Sequence, residues 1–521
     1  MSLLIADESK MVCDDSDQMP VDEPSSPESL PHRPACSSEK QTIDSKYLDL
    51  SAQILTNYHY EYSEAEAKAV RWKIDLHLMS ALFFTGIMSA VDKIIISNAA
   101  LYGMKADLHL TQAQYSWVAS IVSLGFLVME WPASLLVQKL KLSKLLPSTV
   151  ILWAIFTMCQ GAVTNFAGMM ILRVFLGMAE APVFLICQTY TVMFYTKKEQ
   201  PLRISIFLSS LGTLFIGPVS YGIGMSKGVA ISSWRLLYIT FGGITFLWSI
   251  VLFFILPDSP ATWNKLSQRE KYIALDRVKG NHTGVENKTI KFKQIREALV
   301  DPKNWVLCCY QVLICTFLGG LTSFAALIVN SFGFTPFHTV LLGMPTGVIQ
   351  TLSSIIYAYI GTRRKNIRCL TASIACWIPV TATALVWKLP PSNKGGRLAA
   401  YYVCYMYWGC YTLSASLPAQ NTSGHSKKVT TYAMTYAAYC AGTLIGPQFF
   451  NMTIDKGYQS LLGCSAAASG LIFIYVLICK WQNRKKDQRE RQGYFDKIRP
   501  ILDDHLLDLT DTEKRHFRYQ Y

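Results

Sequence analysis

The chain has 521 residues, of which 51% are hydrophobic and only 16% charged, and its mean hydropathy is +0.23. That balance excludes a soluble globular protein of this length and points to an integral membrane chain. The net charge of +14 is what basic loops give a membrane protein through topology, and it requires no nucleic-acid partner.

Residues 1–70 are rich in Asp, Glu, Ser and Pro, as in SDQMPVDEPSSPESLPHRP, and hold no apolar stretch. A disordered tail without a cleaved leader is expected there. Twelve apolar runs follow, near 75–99, 114–138, 146–165, 168–193, 204–225, 234–256, 304–328, 338–360, 367–388, 397–419, 429–452 and 459–481. Each is close to the ~20 residues a helix needs to cross about 30 Å of hydrocarbon. The tenth, rich in Tyr and Cys, matches the pattern least well.

In chain order, the first run carries Asp92, Lys93 and Asn98 in the string VDKIIISNAA. The second carries Glu130 just before Trp131 and Pro132, and the fourth carries Arg173 and Glu180 in LRVFLGMAEAP. The fifth contains GTLFIGPVSYG, with Gly212, Gly217 and Pro218. A polar segment, 257–303, then divides the runs into six plus six: a first half over 71–256 and a second over 304–482, followed by a C-terminal tail over 483–521. The second half holds Gln311, Gln350 and Tyr411 in its apolar runs, then NTSGHSKK, then GTLIGPQFF with Gly442, Gly446, Pro447 and Gln448. The two Gly-Pro phrases fall in the fifth run of each half, and the basic loop QKLKLSK after the second run is echoed by GTRRKN after the eighth. Internal repetition of this kind is how many secondary transporters are built, with the cargo site near the midplane between the repeats. Glycine permits close helix approach and proline frees a carbonyl, so Gly212, Gly217, Pro218, Gly442, Gly446 and Pro447 are candidate gating positions. Tight packing without a moving role is the alternative.

Basic residues set the orientation. Lys139, Lys141, Lys144, Lys197, Lys198, Arg203, Arg363, Arg364, Lys365, Arg368, Lys427 and Lys428 all fall in loops on one side, together with about ten more between the sixth and seventh runs. The other side holds scattered ones such as Lys105, Lys227, Lys388, Lys394 and Lys456. By the positive-inside rule both termini are expected in the cytoplasm. That topology puts the sequons at Asn281 and Asn287 in the cytosol and Asn421 at an inner helix end, and leaves Asn451 facing outward but too near the membrane for glycosylation. The cysteines lie almost singly in apolar runs and read as small hydrophobes. No metal site, cofactor loop or hydrolase motif is present in the sequence, so an enzyme or an ATP-driven pump is not expected.

A charge inside the bilayer costs at least about 2.5–3.5 kcal/mol, so each one is a functional candidate. At 1.5 Å per residue, Asp92 and Lys93 lie about 26 Å from the inner end of their helix, Arg173 about 8 Å from the outer face and Glu180 about 18 Å from it. Arg173 and Glu180, seven apart, point the same way. Lys93 and Arg173 are candidate cargo-binding cations, with Asn98, Gln311, Tyr411 and Gln448 as neutral candidates. Asp92 and Glu180 are candidate proton carriers, and Glu130 is a further one whose alternative is a contact with backbone freed by Pro132. An interhelical ion pair that fixes packing is the alternative for Asp92, Lys93, Arg173 and Glu180. His425, Lys427 and Lys428 read as gating or orientation residues at the cytoplasmic face.

Several strings together resemble the major facilitator superfamily and, within it, the anion:cation symporter family in its fungal allantoate permease branch. They are VDKIIISNAA, LRVFLGMAEAP, LPDSP, the central REKYIALDRVKGNHTGVENKTIKFKQIREALVDPKNW, LLGMPTGVIQ, NTSGHSKK, GTLIGPQ and the C-terminal LLDLTDTEKRHFRYQY. The resemblance covers the chain from about Arg71 onward. It implies an all-α membrane protein of twelve transmembrane helices in two six-helix halves, the major facilitator fold. It also implies that Asp92, Arg173 and Glu180 occupy the family's substrate and proton positions, with Lys93 where many relatives have Arg, a change that keeps charge but loses the planar fork. The loop QKLKLSKLLP lacks the acid and glycines of the superfamily signature there, which puts the gating detail of relatives in doubt for this chain. The expected function is proton-coupled symport of a small organic anion (a carboxylate, a ureido acid such as allantoate, or a vitamin acid) by a monomer, most simply in the plasma membrane, with the endoplasmic reticulum or another internal membrane as the other locations. A non-transporting nutrient sensor on the same scaffold and an uncoupled anion facilitator are the competing readings.

Overall fold

The computed structural model describes residues 54–55, 58, 60–196, 199–226, 230–279, 291–363, 367–492, 509–515 and 517–521. Most of the N-terminal tail, Lys197, Lys198, Lys227, Arg364, Lys365 and the sequons at Asn281 and Asn287 lie outside the described residues.

Ser63 and Glu66 form a reciprocal capping box that opens α1, Glu64–Leu101, which includes a π-helical stretch at Asp75–Met79. Residues 64–70, assigned to the tail from sequence, are therefore the first turns of this helix. The next spans are α2 (Gln112–Lys139), α3 (Leu142–Gln160), α4 (Phe166–Phe194), α5 (Leu202–Met225) and α6 (Ser233–Ile255). Within the central segment lie α7 (Gln268–Lys279) and α8 (Phe292–Val300). The second half starts with α9 (Pro302–Asn330), capped by Asp301 with proline at its first position, then α10 (Pro336–Gly361) and α11 (Arg368–Lys388). The tenth run is broken into α12 (Lys394–Cys404), α13 (Tyr407–Ala415) and α14 (Leu417–Asn421). The eleventh is α15 (His425–Ile445), continued by a 3₁₀ turn over Gly446–Phe450, and the last is α16 (Ile454–Arg491).

Among the described residues ten helices are individually long and apolar enough to span a bilayer. The other two expected spans fail that criterion for visible reasons. The tenth is segmented, and α15 is studded with Ser, Thr, Lys and Tyr.

Packing follows the internal repeat. Across the halves α1 packs on α9, α2 on α15 and α5 on α10. Counting spans within each half, these pairs are first with first, second with fifth and fifth with second, the signature of a two-fold relation. The Gly-Pro phrases repeat the logic. A Cβ on Gly212 would meet Ile87 O of α1 at 2.7 Å, and one on Gly442 would meet Val312 O of α9 at 2.5 Å, so each fifth span lies directly against the first span of its own half. Gly446 is equally tight, with Thr316 O at 2.4 Å, whereas Gly217 faces the other half, with Met344 Cγ at 2.5 Å. Pro218 is accommodated inside the helix, while Pro447, lacking an N–H, coincides with the switch to 3₁₀.

α7, α8 and residues 509–515 and 517–521 lie on one face, the segment face. Hydrogen bonds that join the halves lie toward the opposite face or near mid-depth. Ser97 Oγ accepts from Ala326 N (2.8 Å), Gln112 Nε2 donates to Phe450 O (3.0 Å), and Tyr115 donates its hydroxyl to Ser323 O (2.6 Å). Gln448 Nε2 donates to Ser120 Oγ (3.0 Å), Ser123 and Thr443 share a hydroxyl bond (2.9 Å), and Thr213 donates to Met344 O (3.0 Å). At the segment face the ionic clamps among the described residues tie the central segment and the C-terminal residues to one half or the other. Glu199 of the first half holds Arg71 and, from α7, Arg277; Lys427 of the second half holds Glu297 of α8 and Asp511.

Candidate transport site

Four of the sequence candidates come together. Asp92 and Lys93 of α1 and Arg173 and Glu180 of α4 line one cavity of about 510 Å³, with Ser123 and Phe126 of α2 beside them. The side facing them belongs to the second half: Leu318, Gly319, Thr322 and Ser323 of α9, and Tyr439 and Thr443 of α15.

Helix geometry explains the convergence. Arg173 and Glu180 are two turns apart on α4, so both project toward α1, where Asp92 and Lys93 are neighbours. Close approach of α4 to α2 is set by Gly125 and Gly177, since a Cβ on Gly177 would lie 2.2 Å from Val122 O. Asp92, Arg173 and Glu180 are 6%, 2% and 5% exposed, while Lys93 is exposed.

No ion pair joins any of these four charges to another described residue. Asp92 Oδ1 accepts from Thr157 (3.1 Å), Arg173 donates through Nη2 to the Tyr238 hydroxyl (3.1 Å), and Glu180 Oε1 accepts from Ser89 (2.5 Å). Arg173 Nε and Glu180 Oε2 are buried without a hydrogen-bond partner. A buried polar atom left bare costs roughly 1–3 kcal/mol, more when charged, so a group that supplies the missing bond is strongly favoured there. Two cations and two carboxylates that share a cavity, three of them hydrogen-bonded to neutral hydroxyls, have charge and bonding capacity to offer an anion and a proton. The packing ion pair considered as an alternative is not formed.

The neutral candidates are placed elsewhere. Asn98 donates to Ser220 (3.1 Å) and lines a second cavity, of about 500 Å³, between α1, α5, α9 and α10, where Gln350 also lies. Thr322 borders both cavities, so they adjoin along α9. Gln311 is buried and accepts from Ser414 (3.1 Å); Gln448 bridges the halves through Ser120; neither lines either of these two cavities. Tyr411 sits one ring behind the charged cavity, 5.9 Å between centroids from Tyr439. Glu130 is half-buried and outside the cavity wall.

Sequence reasoning missed Ser89, Thr157 and Tyr238, which hold the charged groups, and Tyr439, which faces them. A hydroxyl in an apolar run commonly back-bonds to its own helix, as Thr157 also does to Trp153 O, and so gives no signal of its own. Asp258 of LPDSP was likewise not recognised: it accepts from Ser143 at the start of α3, bringing an acid to the loop that lacks one. Lys427, placed at a face from sequence, is fully buried between Glu297 and Asp511.

The family model described as Major Facilitator Superfamily matches residues 82–447. The MFS-type transporter cnsL of Penicillium expansum is 31% identical over 484 residues, covering 91% of this chain and 93% of its own. The allantoate permease of Saccharomyces cerevisiae is 29% identical over 476 residues, 88% of this chain and 87% of its own. The thiamine pathway transporter THI73 of the same yeast is 30% identical over 474 residues, 89% and 88%. Among solved structures, the inward open xylose transporter XylE from E. coli aligns with a TM-score of 0.60 at 13% identity, covering 77% of this chain and 96% of that one. A bacterial homolog of the human lysosomal transporter Spinster, inward-facing and unoccupied, aligns with a TM-score of 0.56 at 15% identity, covering 80% and 95%. At such identities these two likenesses speak to the fold alone.

Proposed function

This chain belongs to the major facilitator superfamily and is a multi-pass membrane transporter, and we propose that it carries a small organic anion together with a proton by alternating access. Lys93 and Arg173 hold the anion, and Asp92 and Glu180 take the proton. The observation that carries the reading is the cavity itself: four ionisable side chains meet there without pairing, and two buried polar atoms are left bare. A site of this kind gains when an anion and a proton enter together, because the pair adds no net charge to a low-dielectric space. Similarity to a protein named allantoate permease supports an organic anion as cargo.

The segment face, which carries the basic loops, is cytoplasmic in this reading, and the membrane is the plasma membrane. The face sealed by hydrogen bonds between the halves is then the outer one. The fifth spans, with Gly212, Gly217 and Pro218 in α5 and Gly442, Gly446 and Pro447 at the end of α15, are the surfaces on which the halves turn.

The test is uptake by the full chain in a transporter-deleted fungal strain offered labelled organic anions that serve as nitrogen, sulfur or vitamin sources. Symport gives uphill accumulation that rises with external acidity and collapses with a protonophore. Entry that only equilibrates and is indifferent to the protonophore would identify a facilitator, and binding without entry a sensor; either result overturns the proposal.

A further inference from the structure

The charged cavity is chemically one-sided. Every ionisable acid or base on its wall belongs to α1 or α4, and the wall supplied by the second half is uncharged. That second wall is also aromatic in depth. Tyr439 lines the cavity, Tyr436 stacks on Tyr439 with centroids 5.8 Å apart, Tyr411 lies 5.9 Å behind, and Trp408 stacks on Tyr411 at 4.7 Å and 19°. Tyr436 and Tyr439 pack against the buried cluster of Phe126 of α2, Ala181 of α4 and Cys440 of α15, and Tyr439 shares the cavity wall with Phe126 and the charges. The hydroxyls of Tyr411, Tyr436 and Tyr439 make no hydrogen bond with another described residue, unlike those of Tyr401, Tyr402 and Tyr407 nearby.

Resting on the anion-site reading above, we propose that the cargo is a monoanion with a flat, uncharged ring as its body. Its carboxylate sits between Lys93 and Arg173, and its ring lies on Tyr439, making Tyr439 the specificity-determining residue of the second half. A second carboxylate at the far end of such a cargo would be buried against Leu318, Gly319 and Tyr439 with no cation to meet it. A saturated ring of the same size would fill the space but forgo the aromatic pairing with the tyrosine.

The experiment is calorimetric titration of the purified full chain in detergent with benzoate, cyclohexanecarboxylate and terephthalate. Benzoate is expected to bind about threefold to tenfold tighter than cyclohexanecarboxylate, the affinity ratio that aromatic pairing supplies, and terephthalate to bind at least tenfold more weakly than benzoate. Tyr439→Leu should bring benzoate and cyclohexanecarboxylate to parity, while Tyr439→Phe, which controls for folding, keeps the preference. Parity in the parent protein, a preference that survives Tyr439→Leu, terephthalate binding as tightly as benzoate, or no binding of any probe at 10 mM would each overturn the proposal. Arg173→Gln separates the two claims: it should weaken all three probes alike, and unchanged affinities in that variant would sink the anion site and leave the ring preference to be judged on Tyr439.

Discussion

Replacing Glu180 with Gln isolates the proton from the packing. The side chain is 5% exposed, accepts from Ser89 through Oε1 and leaves Oε2 bare. Glutamine has the same volume and retains the accepting oxygen, so the fold should lose little, on the order of 1 kcal/mol or less. What it cannot do is release and rebind a proton. If one proton accompanies each monoanion the cycle is electroneutral, and a pH difference of about 2 units stores about 2.7 kcal/mol, enough for roughly 100-fold accumulation. In proteoliposomes with an acid exterior, the parent should approach that ratio and Glu180→Gln should stay near unity. Exchange of labelled for unlabelled anion across the same membrane requires no net proton movement, and should remain within about fivefold of the parent, equivalent to 1 kcal/mol. A Glu180→Gln protein that concentrates the anion as steeply as the parent would refute the role given to this carboxylate.

Gly442→Ala should lower the melting temperature in detergent by an amount worth about 1–3 kcal/mol of overpacking, since the new methyl would lie 2.5 Å from Val312 O and 2.7 Å from Cys315 Cβ. Gly222→Ala, with nothing within 4 Å of its Cβ, is the matched control and should be neutral or slightly stabilising. Asp511→Ala should leave buried Lys427 with Glu297 and buried Lys303 with Asp301 but remove the carboxylate they share, and cost about 1.5–3 kcal/mol, read as a lower melting temperature and faster proteolysis of the C-terminal residues. Burial alone would raise the Asp511 carboxyl, but Lys303 and Lys427 beside it bring it down to about 2 from an ordinary value of 3.8. Its contribution of about 2 kcal/mol should therefore hold at neutral pH and fade only as pH drops from about 4 toward 2; protection of the tail that fades near pH 6 would contradict this.

How much of this was legible in the sequence depends on whether a single residue carries its own signal. Asp92, Lys93, Arg173 and Glu180 stand out because a charge in an apolar run is costly wherever it points, and helical spacing alone aligns Arg173 with Glu180. The twin Gly-Pro phrases gave the internal symmetry, and α5 and α15 duly sit in equivalent places; only the structure separates Gly212 and Gly442, packed within their own halves, from Gly217, packed across them. Gln311, Tyr411 and Gln448 show the opposite case. An amide or phenol in a membrane helix can bond to a neighbour, bridge the halves or line a void, and sequence offers no way to choose among them. The C-terminal dock was illegible for a simpler reason. Asp511 reads as one solvated acid in a polar tail, and its partners Lys303 and Lys427 lie far away in sequence. The same holds for Asn421, read as a sequon at a helix end, whose amide is instead occupied by Tyr475 and Gln520.

The seal between the halves bears on the rate of the cycle. Tyr115, Gln448, Gln112, Ser97, Ser123 and Thr213 all bond across it, and reversing access means breaking these bonds together. Hydrogen bonds between membrane helices average about 0.6 kcal/mol each, so removing two should shift the balance toward the other arrangement by about 1.2 kcal/mol, close to eightfold. The pair to remove is Tyr115→Phe with Gln448→Leu, since both side chains bond to groups that water can reclaim once the seal opens. Thr322 borders both cavities and reports on the path between them. With Thr322→Cys in place, and labelling of native thiols such as the exposed Cys159 and Cys309 subtracted using the parent, a membrane-impermeant methanethiosulfonate added outside should react about eightfold faster in the double variant. Unchanged labelling would mean that these bonds are replaced one for one in the alternate state. The energy holding this face shut would then have to reside in the glycine-mediated contacts, of which Gly217 against Met344 and Gly347 against Ser210 O are the tightest across the halves.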